Sequence, residues 1–129
     1  MSLEKRIKVL TRKHLTNFPL SNKNDAYQII ERDNTAYLDY YFSSMKNYKA
    51  YLCLYFDLNQ KIVEINNIYI IPQYRSYNLG ARLVNIVEVM AADFKAKTVF
   101  AVNSVNDTFW EHMRYDKVDE FDFAKPIFF

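Results

Sequence analysis

The sequence predicts an α+β fold built on a mixed, mostly antiparallel sheet, and three observations lead there. The segments "YKAYLCLYFD" (48–57) and "KIVEINNIYII" (61–71) are rich in β-branched and aromatic residues and flank the short break "LNQ", which reads as an antiparallel pair. After Gly80 the period of the apolar residues changes: Leu83, Val87, Met90, Ala91 and Phe94 recur at helical spacing. A short continuous apolar run, "KTVFAV" (97–102), follows that helix. Strand, helix and strand in succession imply a crossover and hence a parallel pair flanking the helix.

The remaining elements follow in chain order. "KRIKVLTR" (5–12) alternates Ile7 and Val9 with polar residues, imperfectly, and reads as a first strand. "HLTNFPLSNKND" is irregular chain broken by Pro19 and its Ser/Asn cluster. In residues 26–42 the turn-like "RDNT" splits two β-favouring halves and suggests a hairpin, although short helices would also accept Ala26, Ile29 and Ile30 on one side. Past the strand at 97–102, "NDTFWEHMRY" reads as a brief helix capped by Asn106 or Asp107. The last segment, "KVDEFDFAKPIFF", supplies one or two edge strands.

Composition bounds the function classes. A chain of 129 residues and 15.5 kDa, half of it apolar and 17% aromatic, fits one packed domain spanning residues 1–129. No apolar run approaches the roughly 18 residues of a membrane span, and the basic N-terminus has no apolar segment behind it to make a secretory signal. The single cysteine, Cys53, lies in an apolar run and forms no internal disulfide, so a reducing, cytoplasmic setting is expected, with the protein a monomer or homodimer. A net charge of +2 is too small to argue for nucleic acid. The cluster Lys5, Arg6, Lys8, Arg12 and Lys13 reads as a solvated strand face rather than a polyanion patch. The tyrosine-rich stretch 37–56 reads mainly as sheet core, with an aromatic acceptor pocket or a surface that stacks bases as the alternatives. Two histidines and one cysteine give no metal-ligand spacing, and no G-x-S-x-G or Walker loop is present.

The chemistry concentrates at Ile68–Leu83, "IYIIPQYRSYNLGARL", where the only glycine, Gly80, stands between a strand and a helix. A helix N-terminus leaves backbone N–H groups without partners and carries a partial positive charge, so it receives anions when the preceding loop allows close approach. Gly80 allows such an approach, Asn78 tolerates a left-handed turn, and Arg75 adds charge. A tight turn with no ligand would use the same residues.

This stretch resembles the pyrophosphate-binding motif of the GNAT superfamily of acyl-CoA-dependent N-acetyltransferases. That motif is an apolar strand, a proline, an aromatic residue, then Q/R-x-x-G-x-G/A opening a helix. Here these are Ile68 to Ile71, Pro72, Tyr74, and Arg75, Ser76, Tyr77, Asn78, Leu79, Gly80, with Asn78 where the family usually has glycine. The resemblance covers about residues 61–118. It implies a three-layer fold whose parallel strands splay apart. In it the pantetheine arm of acetyl-CoA lies in the split against the backbone of Tyr69, Ile70 and Ile71. The pyrophosphate rests on the N–H groups from Arg75 to Ala81, and Asn103 or Asn106 touches the arm from the other side.

The reaction so implied is direct attack of an acceptor amine on the thioester. Making an amine of pKa about 10.4 neutral at pH 7 costs roughly 4.6 kcal/mol, so a base is valuable; releasing a thiolate of pKa near 8.5 unprotonated costs only about 2 kcal/mol. Glu64, eleven residues before Arg75, resembles the glutamate of the histone-acetylating branch and is the candidate base, acting through a water. A solvent-facing strand carboxylate is its plain alternative. The backbone N–H of Ile70 or Ile71 would stabilise the oxyanion. The family's general acid is a tyrosine in "Y-x-x-x-G-F"; aligned without a gap it falls on Trp110, with Arg114 and Tyr115 at the last two places, so Tyr115 is the candidate substitute. The partners expected are acetyl-CoA and an amine-bearing acceptor, with no membrane and no nucleic acid. Two other classes stay open: a non-catalytic GNAT-like interaction domain, and a basic nucleic-acid-binding module.

Overall fold

The structure, a computed structural model, describes residues 1–128; Phe129 and the side chain of Ser76 lie outside that description. Its first element is a helix, α1 (Leu3–His14), where the sequence predicts a strand. The Ser2 hydroxyl caps it by accepting from the Lys5 N–H at 3.2 Å. Glu4 lies in the first turn and Arg12, Lys13 and His14 in the last, each sign matching the helix dipole. Leu3, Ile7, Leu10, Thr11 and His14 are buried at three- and four-residue spacing, while Val9, which a strand would place beside Ile7, is 51% exposed. The basic cluster is therefore a helix face. Arg6 stacks on the Phe94 ring, Lys13 pairs with Asp93 at 3.1 Å, and the rest is solvated.

Strands β1 (Ala26–Arg32) and β2 (Thr35–Phe42) form the expected hairpin, and β3 (Ala50–Asp57) with β4 (Ile62–Ile70) the next antiparallel pair. After a 3-10 turn at Pro72–Tyr77 come α2 (Leu79–Phe94), β5 (Thr98–Ala101), α3 (Asp107–His112), β6 (Asp116–Lys117) and β7 (Phe123–Pro126). The seven strands lie in the order β1-β2-β3-β4-β5-β7-β6, and every neighbouring pair is antiparallel except β4 and β5. The C-terminal segment thus contributes one edge strand, β6, and one inner strand, β7, whose Phe123 is fully buried. This is the mixed, mostly antiparallel α+β architecture that the residue pattern predicts.

Both α1 and α2 pack on one face of the sheet, which buries Leu38, Leu52, Leu54, Phe56 and Val63 beneath Ile7, Leu83, Val87 and Met90. Phe94 meets Phe56 edge to face at 5.2 Å. Burial alternates along β2 and β3, so Tyr37, Tyr41, Tyr51 and Tyr55 point to the other face and stay half-buried or exposed. Of the tyrosines in stretch 37–56, Tyr40 alone joins the core, which corrects the expectation of a tyrosine-filled interior.

The parallel pair separates part-way along. Ile62–Ile65 of β4 pair with Thr98–Ala101 of β5, and the last link is the Val102 N–H on the Ile65 carbonyl at 3.2 Å. Beyond it β4 continues to Ile70 against β3 alone. The register of β3 and β4 jumps there, with Cys53 opposite Asn67 but Leu54 opposite Ile65, which leaves Asn66 as a bulge. A bulge bends its strand and sharpens the local twist, so β4 turns away from β5 where the pairing stops.

Candidate functional site

Between the separated ends of β4 and β5 lies a cavity of about 600 Å³. Ile65 to Ile70 form one wall, Val102 to Asn106 with Phe109 and Trp110 the other, and Arg75, Asn78, Gly80 and Ala81 close the end against α2. A ligand here would touch strand backbone on one side and a helix N-terminus at one end.

The start of α2 is open toward the cavity. Asn78 adopts the left-handed conformation, with φ 59° and ψ 27°, and its side chain makes no capping bond. The first turn of α2 contains no acidic residue. Its leading N–H groups have no intrahelical acceptors and bear the positive end of the dipole. Gly80 is helical rather than left-handed. A Cβ added to it would meet the Phe109 ring at 3.6 Å, an ordinary contact, so neither backbone conformation nor packing demands glycine there. The role that remains is to leave the helix end bare toward the cavity. Arg75 donates from Nε to the Ile70 carbonyl at 2.7 Å and stacks over the Tyr69 ring, which holds the arm at the cavity.

The strand wall refines the expected backbone contacts. The Ile71 N–H is bonded to the Lys49 carbonyl at 3.0 Å, on the β3 side. Successive residues of a strand direct their backbone groups to opposite sides, so Tyr69 also faces β3, opposite Tyr51, while Ile68 and Ile70 face the split. Ile71 is thus corrected: its N–H is already engaged, and the residue does not line the cavity.

The other predicted positions divide. Asn103, with φ 55°, lines the cavity and anchors its own N–H on Asp122 at 3.0 Å. Asn106 also lines it, but its side-chain oxygen accepts from the Phe109 N–H at 3.2 Å and caps α3. Leu79 is core, and Tyr77 is 65% exposed on the outer side of the turn. Ser76 contributes backbone to the 3-10 turn, and its side chain lies outside the described residues.

Neither candidate catalytic side chain lines the cavity. Glu64 sits on β4 just before Ile65, half-buried on the tyrosine-bearing face opposite Tyr55. Burial, and then the charges of Asp122 and Asp57, push its carboxyl above the ordinary range, the direction a general base requires. Tyr115 is buried in the core, and its hydroxyl donates to Glu88 Oε2 on α2 at 2.9 Å. Glu88 in turn pairs with Lys125 of β7 at 3.0 Å. Burial and the Glu88 carboxylate drive the Tyr115 phenol far above its ordinary value. Tyr115 is therefore a structural tie between α2 and the C-terminal strand, and the expectation of an acid there is corrected.

Sequence reasoning missed Asn66, Asn67 and Ser104 in the cavity walls. Adjacent asparagines inside a strand are unfavourable, and that anomaly marks the bulge; Ser104 carries no comparable signal. On the tyrosine-bearing face Cys53 is pushed up to about 11 by burial and by Asp39, so its thiol is protonated at neutral pH and is no nucleophile. Among the described residues no group of His, Cys, Asp and Glu could hold a metal ion.

No family model matches the sequence, and no curated protein matches it. The fold is shared with solved structures. Nourseothricin acetyltransferase superposes with a TM-score of 0.57 over 90% of this chain and 92% of its own, at 9% identity. Aminoglycoside 6'-acetyltransferase type Ii gives 0.57 over 75% and 72%, at 15% identity. The ribosomal-protein-S18-alanine N-acetyltransferase of Escherichia coli gives 0.54 over 77% and 73%, at 14% identity. At such identities the likeness is one of fold.

Proposed function

We propose that this chain, whose fold is that of the GNAT superfamily, is an N-acetyltransferase that uses acetyl-CoA as co-substrate. The observation that carries the reading is the cavity between β4 and β5, which ends on the uncapped, acid-free N-terminus of α2. An extended arm fits such a split, and a pyrophosphate suits the helix end and Arg75.

In this proposal the pantetheine arm follows the open edge of β4, where Ile68 and Ile70 present backbone groups, and Asn103 meets it from the β5 side. The acceptor amine approaches from the tyrosine-bearing face. Glu64 takes its proton through a water, and the Ile70 N–H supports the oxyanion. No covalent enzyme intermediate forms, in keeping with the protonated state of Cys53. The proposed setting is cytoplasmic.

Calorimetry with acetyl-CoA tests the reading, and no binding at millimolar ligand would overturn it. Trp110, at the place of the family's acidic tyrosine, favours a second reading: a domain of the same fold that engages a protein partner and binds no acyl-CoA. The same titration separates the two.

A further inference from the structure

Ser104 holds a one-sided position in the cavity wall. Its Oγ accepts from Trp110 Nε1 at 2.7 Å and from the Asn106 N–H at 3.2 Å. A serine hydroxyl has two acceptor sites and one hydrogen to donate. Both partners are donors only, so the two acceptor sites are filled and the hydrogen must point away from them. Among the described residues none accepts it, and Ser104 lines the cavity between the separated strands. The geometry is rigid: the Ser104 N–H is tied to the Phe121 carbonyl at 2.8 Å, and Trp110, 3% exposed, is held edge to face between Phe109 and Tyr115.

We propose that Ser104 donates this hydrogen bond to the thioester sulfur as it departs, with Trp110 as the residue that positions it. The inference rests on the acyl-transfer reading. The amine lone pair attacks the carbonyl carbon, and collapse of the tetrahedral intermediate breaks the C–S bond and sends its electron pair to sulfur. The amine proton leaves through the water held by Glu64. The thiolate is stabilised by Ser104 Oγ–H and afterwards protonated by solvent. Trp110 has no acidic proton to give, but by donating to Ser104 it polarises that hydroxyl and makes it a better donor.

The test is calorimetric titration with CoA and with desulfo-CoA, which lacks the sulfur, from pH 7 to 9.5. A donor aimed at sulfur favours the thiolate. If it lowers the bound thiol pKa by about one unit, wild type gains about tenfold for CoA over desulfo-CoA by pH 9.5. The titratable and charged neighbours, Asp122 below Asn103, Asp107 and His112 on α3, Lys117 bonded to Asp107, and Arg75 in the cavity wall, also act on a thiolate that desulfo-CoA lacks, so the part due to Ser104 is the difference between wild type and variant. Ser104→Ala loses the gain and Ser104→Thr keeps it. Should Ser104→Ala fail to fold because Trp110 Nε1 is left buried and unpaired, the double variant S104A/W110F removes both partners and loses the gain as well. A pH-dependent preference for CoA as large in these variants as in wild type, or absent from wild type that binds both ligands, overturns the role of Ser104 alone. Failure of wild type to bind either ligand overturns the acyl-transfer reading with it.

Discussion

Tyr115 and Glu64 differ in what surrounds their titratable atoms, and the difference separates a structural tie from the proposed base. The Tyr115 hydroxyl is committed to Glu88 inside the core. Tyr115→Phe is expected to cost about 2 kcal/mol of stability, the worth of one hydrogen bond to a charged group, and to leave acetyl-CoA affinity unchanged; chemical denaturation and calorimetry check the two halves. Glu64 faces solvent on one side and no ion pair among the described residues includes it. Its carboxyl is raised by burial and by Asp122 and Asp57, so the folded state holds the proton more tightly than the unfolded chain. That contribution to stability is present at acid pH and is lost as pH rises through the folded pKa. Glu64→Gln should therefore raise Tm at pH 7, with a gain that shrinks toward pH 3. In the proposed role of base, Glu64 matters most where the acceptor is protonated, so the same variant should lower kcat more at pH 7 than at pH 9.5. An equal loss at both pH values would count against the role.

The strand–turn–helix joint makes its own predictions at the scale of an element. Asn78 holds the left-handed conformation, so Asn78→Ala should cost about 1 kcal/mol and Asn78→Gly should not, as thermal unfolding will show. Gly80→Ala meets only ordinary contact at the Phe109 ring and gains up to about 1 kcal/mol of helix propensity. It should be at least as stable as wild type and bind acetyl-CoA more weakly, a split that a purely structural glycine would not produce. The joint, the two hairpins and β5 were legible in sequence because each is written in consecutive residues: a turn, a change of period, a run of β-branched side chains. Helix α1 was misread because Ile7 and Val9 imitate a strand over four residues, and only Leu3, Leu10 and the Ser2 cap restore the longer period. The bulge at Asn66 escaped because it exists only in the register against β3.

For the molecule as a whole, a ligand that binds only the native state stabilises it by mass action. Acetyl-CoA at a hundred times its Kd should add about 2.7 kcal/mol to unfolding stability, visible as a rise in Tm. The basic face of α1 offers the competing reading, nucleic-acid binding. A salt-independent or absent affinity for DNA and RNA ends that reading, since phosphate contacts release counterions. No helix among the described residues is long and apolar enough to cross a membrane. The sequence by itself determined the α+β class, the crossover around α2 and the strand–turn–helix joint at Asn78 and Gly80, because those follow from local periodicity and local backbone chemistry. Only the tertiary structure decided that β4 parts from β5 at Asn66, that Tyr115 belongs to Glu88 across 27 residues, and that Trp110 donates to Ser104 in the cavity wall. Those facts depend on which groups remain unpaired once strands and helices have packed, and no stretch of sequence contains that information.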